Sequence, residues 1–251
     1  MLKERLYDYL LHLGDNSMIL GQRLGELCGH GPELETDIAL TNISLDLFGQ
    51  VRNYFQAAAA IKGDGATEDS IAMLRYENEY KNTLLVEQPN DDFAHVIVRQ
   101  FLFDVYHQLL LKELMSSKDE TIAAVATKSI KEVNYHVGFS STWLKRLGDG
   151  TEVSHDKMQE AVNKLWRYSL ELFKPTDTEI WAAESGVGAD LDQLKPIYLE
   201  KIKMFMDEAT LGLPEATVFQ YGAKSGRHSE NMGYILADFQ YIQRAYPNMK
   251  W

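Results

Sequence analysis

Residues 91–115 read DDFAHVIVRQFLFDVYHQLLLKELM, and this stretch decides the fold. Its apolar side chains recur at intervals of three and four, the period of an α-helix, and do not alternate as they would along a half-buried strand. One stripe runs Ile97, Phe101, Asp104, Gln108 and Leu111, with His107 one turn beyond Asp104 on nearly the same face. A carboxylate and an imidazole are therefore aimed at the interior of a helical bundle. At 1.5 Å per residue, a helix of about 25 residues runs the length of such a bundle.

The same spacing holds almost throughout the 251 residues, with no convincing series of alternating strands and hairpin turns. Punctuation falls at Gly29-His30-Gly31-Pro32, Gly63-Asp64-Gly65, Gln88-Pro89-Asn90, Ser116-Ser117-Lys118-Asp119 and Gly148-Asp149-Gly150. Between these breaks helices are predicted near 3–28, 33–61, 67–86, 91–115, 119–147 and 154–173. Shorter ones follow near 176–184, 190–208 and 227–246, around Leu211-Gly212-Leu213-Pro214. Short breaks imply antiparallel neighbours, so the expectation is an all-α bundle forming a single domain over 1–251.

Composition narrows the function classes. A hydrophobic content of 45% supports a sizeable core. A formal net charge of −12 repels phosphate backbones and argues against general nucleic-acid or anionic-membrane binding. The single cysteine, Cys28, cannot close an intrachain disulfide, which suits a reducing compartment. The first turn, Met1-Leu2-Lys3-Glu4-Arg5-Leu6, is charged and precedes no secretory h-region. No stretch approaches the roughly 18 apolar residues of a membrane span, and a cytoplasmic location is expected.

The polar residues on apolar stripes are the candidates for chemistry. Carboxylate-bridged di-iron bundles take one Glu from each of two helices and a Glu-x-x-His from each of two others. Acid-x-x-His occurs three times here, but seven histidines among 37 acids give about one match by chance. Asp92-x-x-His95 follows Pro89-Asn90 and reads as helix-start chemistry, and Glu152-x-x-His155 lies in a turn, which leaves Asp104-x-x-His107. The other helices offer Asp46, Glu77 and Glu132, the last followed by His136 at i+4. This is part of a ligand set, and a metal-free polar core built on Asp46, Glu77, Asp104, His107, Glu132 and His136 is the favoured reading. Its buried acids then need hydrogen-bond donors such as His107, His136, Tyr80, Asn78 or Arg75.

Nucleophilic catalysis gains no support, because there is no Gly-x-Ser-x-Gly elbow and no phosphate-binding glycine motif. One late segment, Tyr221-Gly222-Ala223-Lys224-Ser225-Gly226-Arg227-His228-Ser229-Glu230, places Lys224 and Arg227 before a predicted helix, where backbone N–H groups can hold an anion. A solvated loop capped by Ser225 or Ser229 is the competing reading.

Several stretches carry a resemblance to a known family. They include Leu13-Gly14-Asp15-Asn16, Gln22-Arg23-Leu24-Gly25-Glu26, Cys28-Gly29-His30, Pro32-Glu33-Leu34-Glu35, Leu45-Asp46-Leu47 with Gly49-Gln50, and Leu84-Leu85-Val86-Glu87-Gln88-Pro89-Asn90. They continue through Ile130-Lys131-Glu132 with Tyr135-His136, Asn163-Lys164-Leu165-Trp166-Arg167, Glu208-Ala209-Thr210-Leu211 and Gln240-Tyr241-Ile242-Gln243-Arg244. The chain resembles the structural, non-catalytic subunits of ring 1,2-phenylacetyl-CoA epoxidases over nearly its whole length.

That resemblance implies a ferritin-like bundle holding no cofactor of its own. It implies a homologous catalytic partner that carries a di-iron centre, and a reductase with flavin and iron–sulfur groups. Lys224 and Arg227 then become candidates for contact with the phosphates of phenylacetyl-CoA, and the chain is expected to self-associate when its partner is absent. The alternative is an autonomous di-iron oxygenase using Asp46, Glu77, Asp104, His107, Glu132 and His136.

Overall fold

In the computed structural model, which describes residues 2–215, 217–247 and 249, the chain is helical and no strand occurs among those residues. Met1 of the charged first turn and Trp251 at the end of the expected domain lie outside the described residues. Helices α1 (Leu2–Gly25), α2 (Leu34–Lys62), α3 (Glu68–Met73), α4 (Leu84–Glu87) and α10 (Glu230–Ala245) make one compact unit. A second unit contains α5 (Phe93–Leu114), α6 (Glu120–Gly148), α7 (Glu152–Ser169), α8 (Asp177–Ser185) and α9 (Leu191–Glu208).

In the first unit α1 and α2 form an antiparallel hairpin that packs along its length. Gly14 permits the close approach: a Cβ there would stand 2.3 Å from the Phe55 ring. Helices α4 and α10 pack on α1, and α3 lies against α2 and α10.

In the second unit α5 is the central helix, with α6, α7 and α9 against it. Apart from Phe93, Gln108, Lys112 and Glu113, every residue of α5 is buried. A helix surrounded in this way has no polar face, which is why its apolar character extends beyond the stripe read from the sequence. Gln108 is a correction to that stripe. It sits half-buried at the rim, where its Nε2 donates to Asn134 Oδ1 at 2.8 Å.

Most predicted helices agree with these to within a few residues, but the one predicted over 67–86 is broken. α3 ends at Met73, a single 3-10 turn covers Glu77–Glu79, and α4 does not begin until Leu84. Side chains of α1 satisfy the backbone that leaves the helix: Lys81 N donates to Asp15 Oδ2 at 2.7 Å, and Thr83 N to Asn16 Oδ1 at 2.9 Å. Once backbone donors have such partners, helical hydrogen bonding is no longer needed to satisfy them.

Candidate functional site

The inward carboxylate of α5 is fully buried, and its partners are not those the i,i+3 spacing suggests. Gln100 Nε2 donates to Asp104 Oδ1 at 2.6 Å, while Asp104 Oδ2 lies 2.8 Å from Ser140 Oγ of α6. Ser140 Oγ is also 3.0 Å from the His136 carbonyl. A hydroxyl has one proton, and the carbonyl can only accept. A neutral Asp104 resolves the arrangement: its O–H donates to Ser140, and Ser140 donates to the carbonyl. Burial acts in the same direction, pushing the Asp104 carboxyl up to about 8 against the opposing pull of Ser140 and Gln100.

His107 is equally buried but is held by packing, with its ring 5.1 Å from that of Phe103. Its Nδ1 has no hydrogen-bond partner. Burial pushes this imidazole down to about 3, and the neighbouring His136 adds to the effect, so His107 is neutral. The expected Asp104–His107 pairing is thus replaced by an Asp104–Gln100–Ser140 cluster beside a neutral His107 and a buried His136.

Of the remaining members of the predicted polar core, only Glu132 shares a helix with His136, four residues before it on α6. Glu132 is half-buried on α6, and Asp46 is half-buried on α2 in the other unit. Glu77 is exposed on the 3-10 turn of that same unit, so it is not a core residue. The turn exists because the predicted helix breaks, which removes Glu77 from the periodic face that pointed it inward. Among the described residues no three His, Cys, Asp or Glu side chains converge on a point where a metal ion would sit. A neutral carboxyl with both oxygens engaged is also a poor ligand, so these residues do not fit a di-iron centre. Asp92, by contrast, is the N-cap of α5 and accepts from His95 N at 3.0 Å, as the helix-start reading anticipates.

The first unit holds a second buried polar system. Arg75 donates both terminal nitrogens to Asp15, and its guanidinium lies 4.1 Å from the centre of the Tyr80 ring. Gln240 Nε2 donates to the Arg75 carbonyl at 3.0 Å and to Tyr80 Oη at 2.8 Å, and Arg244 Nη2 donates to the same carbonyl at 2.8 Å. Helix α10 is thereby tied to the segment that links α3 to α4.

Glu87, at the end of α4, is the other anchor. Its Oε1 accepts from Asn82 Nδ2 at 2.9 Å and from His228 Nδ1 at 2.6 Å, and its Oε2 accepts from Ser229 N at 2.8 Å and Ser229 Oγ at 2.6 Å. His228 Nε2 lies 3.2 Å from the Tyr80 carbonyl. Both ring nitrogens face acceptors, so the ring carries both protons and forms an ion pair with Glu87, the two side chains being wholly shielded from solvent. Burial alone would push His228 down; the hydrogen bond and charge of Glu87, together with the Tyr80 carbonyl and the Glu77 carboxylate, more than offset it and raise the imidazole above its ordinary value.

This geometry corrects the anion site read around Lys224 and Arg227. Ser229 is the N-cap of α10, but its backbone and side-chain donors are spent on Glu87, so the chain's own carboxylate takes the seat expected for a phosphate. Lys224 is buried within a 3-10 turn, whereas Arg227 is exposed. The two do not frame an open cationic cradle. A single sequence lacks a clear signal for the long-range Glu87–His228 pair. The nearest hint is an acid inside the apolar run Leu84-Leu85-Val86-Glu87.

Residues 2–251 match the family model described as phenylacetic acid catabolic protein. The chain belongs to this family. It is 47% identical over 247 residues to one subunit of the 1,2-phenylacetyl-CoA epoxidase of Escherichia coli (strain K12), an alignment covering 98% of this chain and 99% of that protein. The fold is the ferritin-like helical bundle expected from the resemblance. Asp15, Asn16, Arg23, Glu87, Gln240 and Arg244, which lie in stretches that carried it, all serve the polar anchors of the first unit. Among the described residues no helix is long and apolar enough to cross a membrane.

Proposed function

We propose that this chain is the structural, non-catalytic subunit of a phenylacetyl-CoA ring epoxidase acting in phenylacetate catabolism. In this reading it pairs with, and stabilises, a homologous catalytic subunit. That partner holds the di-iron centre where O2 is activated, a reductase with flavin and iron–sulfur groups supplies electrons, and the chain itself holds no cofactor. The supporting observation is the donor set of the second unit: the inward carboxylate of α5 is spent on Gln100 and Ser140, within a chain 47% identical to an epoxidase subunit. An autonomous di-iron oxygenase would need charged carboxylates facing both histidines, and Asp104 is neutral and turned to other partners.

The role follows from mass action. A partner that binds only the folded catalytic subunit stabilises it, and obligate interfaces of this type commonly bury about 2,000 Å² or more. Co-expression with the catalytic subunit, size-exclusion chromatography and an epoxidation assay test the reading. The pair should co-elute and turn over, and this chain alone should show neither turnover nor stoichiometric iron. A catalytic subunit that is fully iron-loaded, well folded and equally fast without this chain would overturn the assignment, as would two irons per chain here with an oxo-bridge absorption.

A further inference from the structure

At the rim of the second unit, Gln108 links three helices through one chain of amides. Lys201 Nζ of α9 donates to Gln108 Oε1 at 3.5 Å, and Gln108 Nε2 of α5 donates to Asn134 Oδ1 of α6 at 2.8 Å. An ammonium can only donate, so it fixes the orientation of the first amide and, through it, of the second. Asn134 Nδ2 is then left as a donor with no acceptor among the described residues.

Two further cations flank this chain. Lys112 lies one turn beyond Gln108 on the same side of α5, and Lys131 lies three residues before Asn134 on α6. The two helices run antiparallel, with Asp104 against Ser140 and Gln108 against Asn134, so one turn forward along α5 is one turn back along α6. Lys112 and Lys131 therefore stand abreast, both exposed, beside the half-buried Lys201.

No carboxylate answers these three charges. Among the described residues Lys112, Lys131 and Lys201 make no ion pair, whereas Lys203 of α9 pairs with Asp207 at 2.7 Å and Lys145 of α6 pairs with Glu208. Lys112 alone is ordinary, because a cation in the last turn of a helix complements its dipole. Lys201 is not: burial, and then the charge of Lys112, push its ammonium down. Like charges held together at a half-buried rim, in a chain whose net charge is −12, are unfavourable in the chain alone and are relieved by an anion.

We propose that this rim is a binding site for a phosphate group, held by the ammonium groups of Lys112, Lys131 and Lys201 and by Asn134 Nδ2. Donors from three helices approach from different sides, which suits the several terminal oxygens of a phosphate. Unlike the turn at Lys224 and Arg227, the seat is not taken by a carboxylate of the chain itself. Inorganic phosphate and the phosphates of coenzyme A share this chemistry. The inference does not rest on the epoxidase reading, and binding of coenzyme A here would add a substrate contact to it.

Calorimetric titration of the purified full chain at pH 7 and low salt, with inorganic phosphate and separately with coenzyme A, tests the site. At least one of the two should bind at one site per chain. Phosphate binding without coenzyme A would assign the free ion as the source, and tighter binding of coenzyme A would assign the nucleotide. The Lys112→Gln/Lys201→Gln double variant should weaken binding by about tenfold or more, since two charge-assisted hydrogen bonds are lost. Lys128→Gln removes the same unit charge from α6 outside the rim and should change the affinity by less than about twofold. The bound anion should also raise the melting temperature of the wild type above that in chloride at equal ionic strength, and should not do so for the double variant. Absence of binding by both probes would overturn the proposal. So would binding that survives the double variant, or an equal loss in Lys128→Gln, the result expected of diffuse surface charge.

Discussion

Replacing Asp104 by Asn tests the central claim about the second unit, that its buried carboxyl is neutral. Asn reproduces the neutral acid: Oδ1 accepts from Gln100, and Nδ2 donates to Ser140, which donates to the His136 carbonyl. At low pH the variant should therefore be close to wild type in stability. In the wild type the folded carboxyl is pushed up to about 8, whereas an unfolded aspartate titrates near 3.9. Between these values the native state binds a proton that the unfolded state has released, so stability falls as pH rises, by at most about 1.4 kcal/mol per pH unit.

His107 has the opposite sign. Its folded imidazole is pushed down to about 3, so between there and about 6.5 the unfolded state binds the extra proton and stability rises with pH. That contribution is common to both proteins and cancels in their difference. Urea unfolding at a series of pH values should show wild type losing about 2–3 kcal/mol more than Asp104→Asn between about pH 5 and pH 7. Parallel pH profiles would refute the neutral carboxyl. So would an Asn variant that is severely destabilised at pH 7, the result expected for a charged, paired carboxylate.

His228→Ala should cost about 3–5 kcal/mol by leaving Glu87 as an unpaired buried charge, measured by chemical denaturation at pH 6. Because the folded His228 is held above its ordinary value, its stabilisation is complete below about pH 6.5 and is lost as pH rises through the raised folded value; the wild-type decline above pH 6.5 should therefore be shallower in the Ala variant. Asp15→Ala should be comparably destabilising, since it strands the buried Arg75 guanidinium, and amide exchange at Lys81, whose N–H loses its acceptor, should accelerate. Gly14→Ala places a methyl against Phe55 and should lower stability by about 1–3 kcal/mol in thermal melts, although alanine is the better helix former.

The all-helical fold was legible because amphipathic periodicity is local: each stretch of about 20 residues states its own secondary structure through the spacing of its apolar side chains. Asp92 as a helix start could be read for the same reason, its hydrogen bond reaching only three residues along the chain. The resemblance carried by Leu13–Asn16, Leu84–Asn90 and Gln240–Arg244 placed the chain in its family without showing what those residues do. Their work depends on contacts over long sequence separations. Asp15 reaches Arg75 and breaks the helix predicted over 67–86, and Glu87 meets His228 across 141 positions and fills the end of α10. Protonation was likewise out of reach. The spacing put Asp104 and His107 on one face, but Ser140, from another helix, took the carboxyl's second oxygen, and burial, a property of the packed unit, set the direction of both shifts.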